Sequence, residues 1–221
     1  MPRSPYRAAA QRGSTLSPAV GRTRRRIAPP MLAAVIALAA LLPVGTLSAP
    51  VAEASCRWTS SSTPPSSIRV LRAATGRIDA VNFGYYVRVV VAYEWGSSYL
   101  PFALLRAGAQ AVKQYGWFHA LRQRWTSDGR CYHVTDSTSD QHFNPKYSPT
   151  DRQKRAVSSI WSWRVLRDGQ LIMTSYRRGY DYPCAYDAGT RLYARSGRKC
   201  ANAGWSAARI LKRYYSAALD K

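Results

Sequence analysis

The chain has 221 residues, with 33 Lys+Arg against 11 Asp+Glu and a formal net charge of +22. So large a positive excess favours a polyanionic partner through steering and counterion release. With four cysteines, no C-x-x-C pair and three scattered histidines, a structural zinc site of the usual ligand spacing is excluded, and neither metal nor cofactor is expected.

Residues 1–30 hold seven arginines and no acidic residue, with the cluster Arg24-Arg25-Arg26 near their end. The apolar run Met31–Leu42 follows, then the small-x-small pattern Ala52-Glu53-Ala54. A basic region, an apolar region and a small-residue cleavage site read as a secretory signal peptide over 1–54. As a helix, the apolar run rises only ~18 Å, short of the ~30 Å hydrocarbon core that a retained anchor must cross. Cleavage after Ala54 leaves 167 residues, with 26 Lys+Arg, 10 Asp+Glu and a net charge of +16. That is enough for one domain with a core. Charge alone fits nucleic acid or an anionic bacterial wall; the export signal points to a secreted, wall-facing protein, so no nucleic acid is expected as partner.

All four cysteines fall after the signal, and export reads an even count as two disulfides with three possible pairings. Closeness in sequence points to Cys184 with Cys200, leaving Cys56 with Cys131. Residues 55–67, rich in Ser, Thr and Pro, read as a flexible lead-in, and residues 68–221 as the domain. Tyr85–Tyr93 is β-branched and aromatic, and reads as a buried strand. Ser97 and Ser98 offer N-caps and Pro101 suits a first helical turn. A long Ala-rich helix is expected from Phe102 to about Arg124, weakened by Gly108 and Gly116 unless something packs closely there. Cys131–Val134 reads as a short strand. Ala156–Tyr176 reads as a hairpin turning at Asp168-Gly169, and Ser206–Tyr215 as a capped helix presenting Ile210, Leu211 and Tyr214 to the core. Helices beside antiparallel strands make the expected class α+β.

Beyond the signal the chain has a single glutamate, Glu94, between Tyr93 and Trp95. A carboxyl beside aromatic rings is partly desolvated, which raises its pKa into the range of a general acid. Tyr93 and Trp95 are accordingly counted with the substrate-binding residues. Asp136 or Asp140 could partner it in a two-carboxylate glycosidase. No G-x-S-x-G elbow and no Gly-rich phosphate loop is present.

Three ordered blocks carry a resemblance. Tyr86-Val87-Arg88 through Glu94-Trp95 leads to Leu105–Tyr115 with Ala-x-Ala-Val-Lys-x-Tyr. The segment Asp136-Ser137-Thr138-Ser139-Asp140-Gln141 fits Asp-x-Thr-x-x-Gln. Cys200-Ala201, Gly204, Ile210-Leu211 and Tyr214-Tyr215 close the pattern. Together they resemble the stage II sporulation protein D and amidase-enhancer LytB family of exported wall proteins. The chain departs from that pattern in lacking an acidic residue near Phe102 and in the Gly96–Tyr99 turn. The resemblance implies a lytic transglycosylase cutting peptidoglycan glycan strands, with Glu94 as acid and then base and a sporulation-related role. It also implies that Lys113, Asp140 and Gln141 contact the sugar. The alternative it carries is a non-catalytic wall-binding protein that modulates an amidase; the partners are then glycan strands, anionic wall polymers or a wall amidase.

Overall fold

A computed structural model describes residues 55–96 and 99–221. The expected signal peptide and the Ser97-Ser98 caps lie outside the described residues. Among the described residues no helix is long and apolar enough to cross a membrane.

Strands β1 (Ser67–Leu71) and β2 (Ile78–Asn82) form an antiparallel pair, and the chain then turns directly into helix α1 (Phe83–Glu94). This is the main correction to the sequence reading, which makes a strand of Tyr85–Tyr93. The Asn82 side chain caps α1 by accepting from the Tyr85 N–H at 2.9 Å. Phe83, Tyr86, Val87, Val89, Val90, Val91 and Ala92 are all buried. Of its residues only Tyr85 and Tyr93 are exposed, so the apolar run is nearly continuous, shows little 3.6-residue pattern, and its β-branched composition misleads. The consequence for function is direct: Glu94 ends a helix, not a strand.

Helix α2 (Phe102–Ala120) begins at Pro101, whose carbonyl accepts from the Leu105 N–H, and ends four residues before the expected Arg124. It is the axis of the molecule, packed by α1 and by three later helices, α3 (Asp151–Ser158), α4 (Ala194–Asn202) and α5 (Ala207–Tyr215). Its two glycines are points of close approach. A Cβ at Gly116 would sit 3.1–3.2 Å from Phe83, Ile68 and Tyr86. One at Gly108 would lie inside ordinary contact distance of the Trp95 indole.

Strands β3 (Arg124–Trp125) and β4 (Cys131–Tyr132) pair antiparallel, while β5 (Val134–Thr135) joins β1 in parallel. Helix α3 carries a capping box between Thr150 and Gln153, so the expected hairpin over Ala156–Tyr176 is shorter than predicted. It comprises β6 (Arg164–Arg167) and β7 (Gln170–Leu171). Asp168 and Gly169 turn it with φ of 51° and 72°, both positive as a type I′ turn requires. Strand β8 (Ser175–Arg177) runs parallel to β9 (Arg191–Tyr193), and β10 (Ala218–Asp220) flanks β6. Helix α5 starts where predicted, with Ser206 accepting from the Arg209 N–H. The class is mixed, with small sheets, mostly antiparallel, around a helical core.

Both disulfides form as expected, with Cα–Cα separations of 6.1 Å for Cys56–Cys131 and 4.6 Å for Cys184–Cys200. The first helps pin the start of residues 55–67, which the sequence reading treats as a flexible lead-in, beside the end of α2. The Trp58 N–H donates to the Ala120 carbonyl at 2.9 Å and Trp117 Nε1 donates to the Ser60 carbonyl at 3.0 Å.

Candidate functional site

Because α1 ends at Glu94, its carboxyl projects where α1, the 138–142 loop, β8 and the first turns of α4 meet. These elements enclose a cleft of about 1320 Å³. Glu94, Tyr93, Trp95, Tyr115, Asp140 and His142 line it, together with Tyr176, three hydroxyl side chains and five arginines.

Glu94 is held by two donors. The His142 backbone N–H reaches its Oε1 at 2.7 Å, and the Tyr176 hydroxyl donates to its carboxylate. Burial nevertheless raises its pKa above the usual 4.5, the two hydrogen bonds opposing the rise in part. The negative end of the α1 dipole acts in the same direction as burial. A carboxyl so placed stays protonated to higher pH, as a general acid requires.

Tyr93 stacks on the His142 ring, with centroids 4.0 Å apart, and meets Tyr147 edge-on at 4.7 Å. Trp95 is almost wholly buried between Gly108 and Tyr176, with Nε1 lacking a hydrogen-bond partner among the described residues. Both predicted flanks therefore line the cleft.

Asp140 also lines it but is fully engaged. Arg124 donates to its two oxygens at 3.2 and 2.7 Å, the Tyr115 hydroxyl at 2.8 Å, the Thr135 N–H at 2.7 Å and the Thr135 hydroxyl at 2.9 Å. Burial raises its pKa, but these donors outweigh it and hold the carboxyl below its usual range. A carboxylate with every lone pair occupied is a poor base and a poor nucleophile. The two carboxyls of one cleft are thus driven apart.

Gln141 is buried and does not line the cleft. It accepts from the Tyr86 hydroxyl at 2.8 Å and donates to the Val112 carbonyl and to the Tyr176 oxygen at 3.2 and 3.1 Å. Its place is behind Tyr176, which it orients toward Glu94, rather than against a sugar.

Lys113 lies elsewhere. It is buried on the face of α2 that docks the α3–β6 connection, and its ammonium donates to the carbonyls of Ile160, Trp161 and Trp163 at 2.9, 2.9 and 2.6 Å. Burial, with the charge of Arg164 adding, pushes its pKa down to about 7, while three carbonyls match the three N–H groups of its charged form. Gln114 works beside it, bonding Val165 and Ile172. The expected glycan contact at Lys113 gives way to a structural anchor, because a basic residue on a helix face shows in sequence but the carbonyls it meets do not.

Sequence reasoning misses Tyr176 and His142. Tyr176 sits among fifteen tyrosines with no local signature, and His142 contributes its backbone N–H, which residue type cannot reveal. Among the described residues no group of three or more His, Cys, Asp or Glu side chains is placed to hold a metal ion. Searched against models of protein families and against curated proteins, the chain matches none.

Proposed function

We propose that this chain is a lytic transglycosylase that cuts the peptidoglycan glycan between N-acetylmuramic acid and N-acetylglucosamine. The observation that carries the reading is the contrast inside one cleft. Glu94 is its one carboxyl with a raised pKa, and Asp140 beside it is saturated and held ionised. A hydrolase of the common kind needs two working carboxyls. A ring-closing lyase needs one.

In the first step the protonated Glu94 donates its proton to the glycosidic oxygen, and the bond from that oxygen to the muramic acid anomeric carbon breaks. The same group, now a carboxylate, takes the proton from the C6 hydroxyl of that muramic acid. The C6 oxygen closes on the anomeric carbon, giving a 1,6-anhydro ring and returning Glu94 to its protonated form. No water is consumed. Tyr176 and the His142 N–H, both donors to Glu94, stabilise its carboxylate form between the two proton transfers. Tyr93 and Trp95 supply aromatic surface beside the bond.

The three ordered sequence blocks support the same reading, as does a cleft larger than the ~300–1,000 Å³ that encloses drug-sized ligands. To test it, purified protein is incubated with peptidoglycan carrying or lacking stem peptides, and the released ends are weighed by mass spectrometry. Anhydromuramyl ends are expected, and their absence from both substrates removes the proposal.

A further inference from the structure

The wall of the cleft built by β8, β9 and α4 carries Arg177, Arg178, Arg191, Arg195 and Arg198. None of these five side chains forms an ion pair with a carboxylate among the described residues. Elsewhere the arginines that find acids do so readily, as Arg124 does with Asp140 and Arg72 with Asp136. Arg177, Arg178, Arg195 and Arg198 are exposed, and the half-buried Arg191 has an Nε with no partner among the described residues.

Such clustering does nothing for the fold. Arg195 and Arg198 stand at i,i+3 on α4, where like charges destabilise a helix by ~0.2–0.5 kcal/mol. Parallel pairing of β8 with β9 sets Arg191 beside Ser175 and brings the Arg177-Arg178 end against the start of α4. The first turn of α4, which no side chain caps, adds the positive end of its dipole to the same wall. The reacting carboxyl lies in the same cleft, so whatever the arginines hold runs past Glu94.

We propose that this arginine wall is a carboxylate-reading subsite, which selects glycan strands by the anionic groups they display rather than by their sugar rings alone. The inference rests on the glycan reading above. Planar guanidinium groups match carboxylates in paired hydrogen bonds, and a β-1,4 glycan of alternating muramic acid presents a lactyl group once per disaccharide. That group is a free carboxylate where the stem peptide is absent; where it is present, the carboxylates belong to the peptide.

Binding is measured by calorimetry with the Glu94→Gln chain, so that nothing is cleaved. The ligands are peptide-free muramyl glycan, the same glycan with its carboxylates amidated, peptide-bearing strands, neutral N-acetylglucosamine oligomers and poly(glycerol phosphate). The free-acid glycan, the peptide-bearing strand or both are expected to bind at least about tenfold tighter than the amidated and neutral ligands, a difference of about 1.4 kcal/mol. Whichever of the two binds tighter names the source of the carboxylate. Arg195→Gln with Arg198→Gln is expected to abolish that preference while leaving binding of the neutral oligomer unchanged and the unfolding midpoint at or slightly above the native one. Arg177→Gln with Arg178→Gln gives the same result from the strand side. Equal affinity for the free-acid and amidated glycans overturns the inference. So does tight poly(glycerol phosphate) binding that muramyl glycan does not displace, which assigns the wall to a phosphate polymer. Failure of native protein to make anhydromuramyl ends, with the carboxylate preference intact, removes the catalytic reading and leaves this one standing.

Discussion

Gly108→Ala tests how the helix pair positions the Glu94 carboxyl. In an exposed helix the exchange stabilises by ~1 kcal/mol through propensity alone. Here the new Cβ would lie 2.5 Å from Trp95 Cε2, 2.7 Å from Cε3 and closer still to Cδ2, against an optimum of about 3.5–4.0 Å between carbons. The indole must withdraw by about 1 Å. It is nearly wholly buried and packs against Tyr176, whose ring centroid is 5.6 Å away, so its displacement disturbs the side chain that holds Glu94 and the cleft wall beside it. Overpacking of this kind costs ~1–3 kcal/mol, which outweighs or cancels the propensity gain, for a net loss of ~0–2 kcal/mol. Displacing a reacting group by about 1 Å costs up to about a hundredfold in rate. Urea unfolding and the rate of anhydromuramyl release are measured on one preparation. The expected outcome is a modest stability loss with a disproportionate fall in rate. A variant more stable by the full propensity gain, with native rate, refutes the packing argument.

Three further outcomes follow from the same contacts. Glu94 has a folded pKa raised above its ordinary 4.5, so its contribution to stability is fully present below that value and is lost as pH rises through the folded pKa, at about 1.4 kcal/mol for each tenfold difference in acidity between the folded and unfolded chain. Glu94→Gln removes this loss, and its stability advantage over native protein is expected to grow with pH in urea melts; a gap independent of pH contradicts the raised pKa. Tyr176→Phe deletes a hydrogen bond that lowers the Glu94 pKa and is expected to shift the pH–rate profile to higher pH with little change in KM; an unmoved profile places Tyr176 outside the acid's control. Lys113→Met takes the ammonium away from three carbonyls; those of Ile160 and Trp163 keep the Trp163 N–H and Gln110 Nε2, and that of Trp161 is left without a donor among the described residues. The variant is expected to cost about 1–3 kcal/mol of stability, with the folded fraction still binding glycan; a stable variant that loses glycan binding returns Lys113 to the substrate.

Much of the frame is legible because its signals are local. The Ser206 cap, the Asp168-Gly169 turn, the Ala-rich α2 and the Cys184–Cys200 pair each depend on residues near one another, and four cysteines leave Cys56 only Cys131. Glu94 stands out by composition, and the structure sets it in the cleft beside Tyr93 and Trp95. What escapes a sequence reading depends on enclosure. In helix α1 the valines at 87, 89, 90 and 91 are all buried in an almost unbroken apolar run, so they carry no period. Lys113 and Gln141 fall to the sugar in sequence because their polar partners, backbone carbonyls and buried tyrosine hydroxyls, come from distant parts of the chain. The capping box Thr150–Gln153 is visible as T-x-x-Q, yet the apolar run after it draws the hairpin too far. The arginine wall joins residues about fourteen positions apart through a parallel strand pair, a pairing that sequence spacing does not announce.

The most direct measurement is digestion of glycan strands in water enriched in heavy oxygen, by native protein and by Glu94→Gln side by side. Native protein is expected to release muramyl ends lighter by one water than hydrolysis gives and free of the label, and the variant none. Labelled reducing ends, or unlabelled anhydro ends at native rate from Glu94→Gln, contradict a single carboxyl acting as acid and then base.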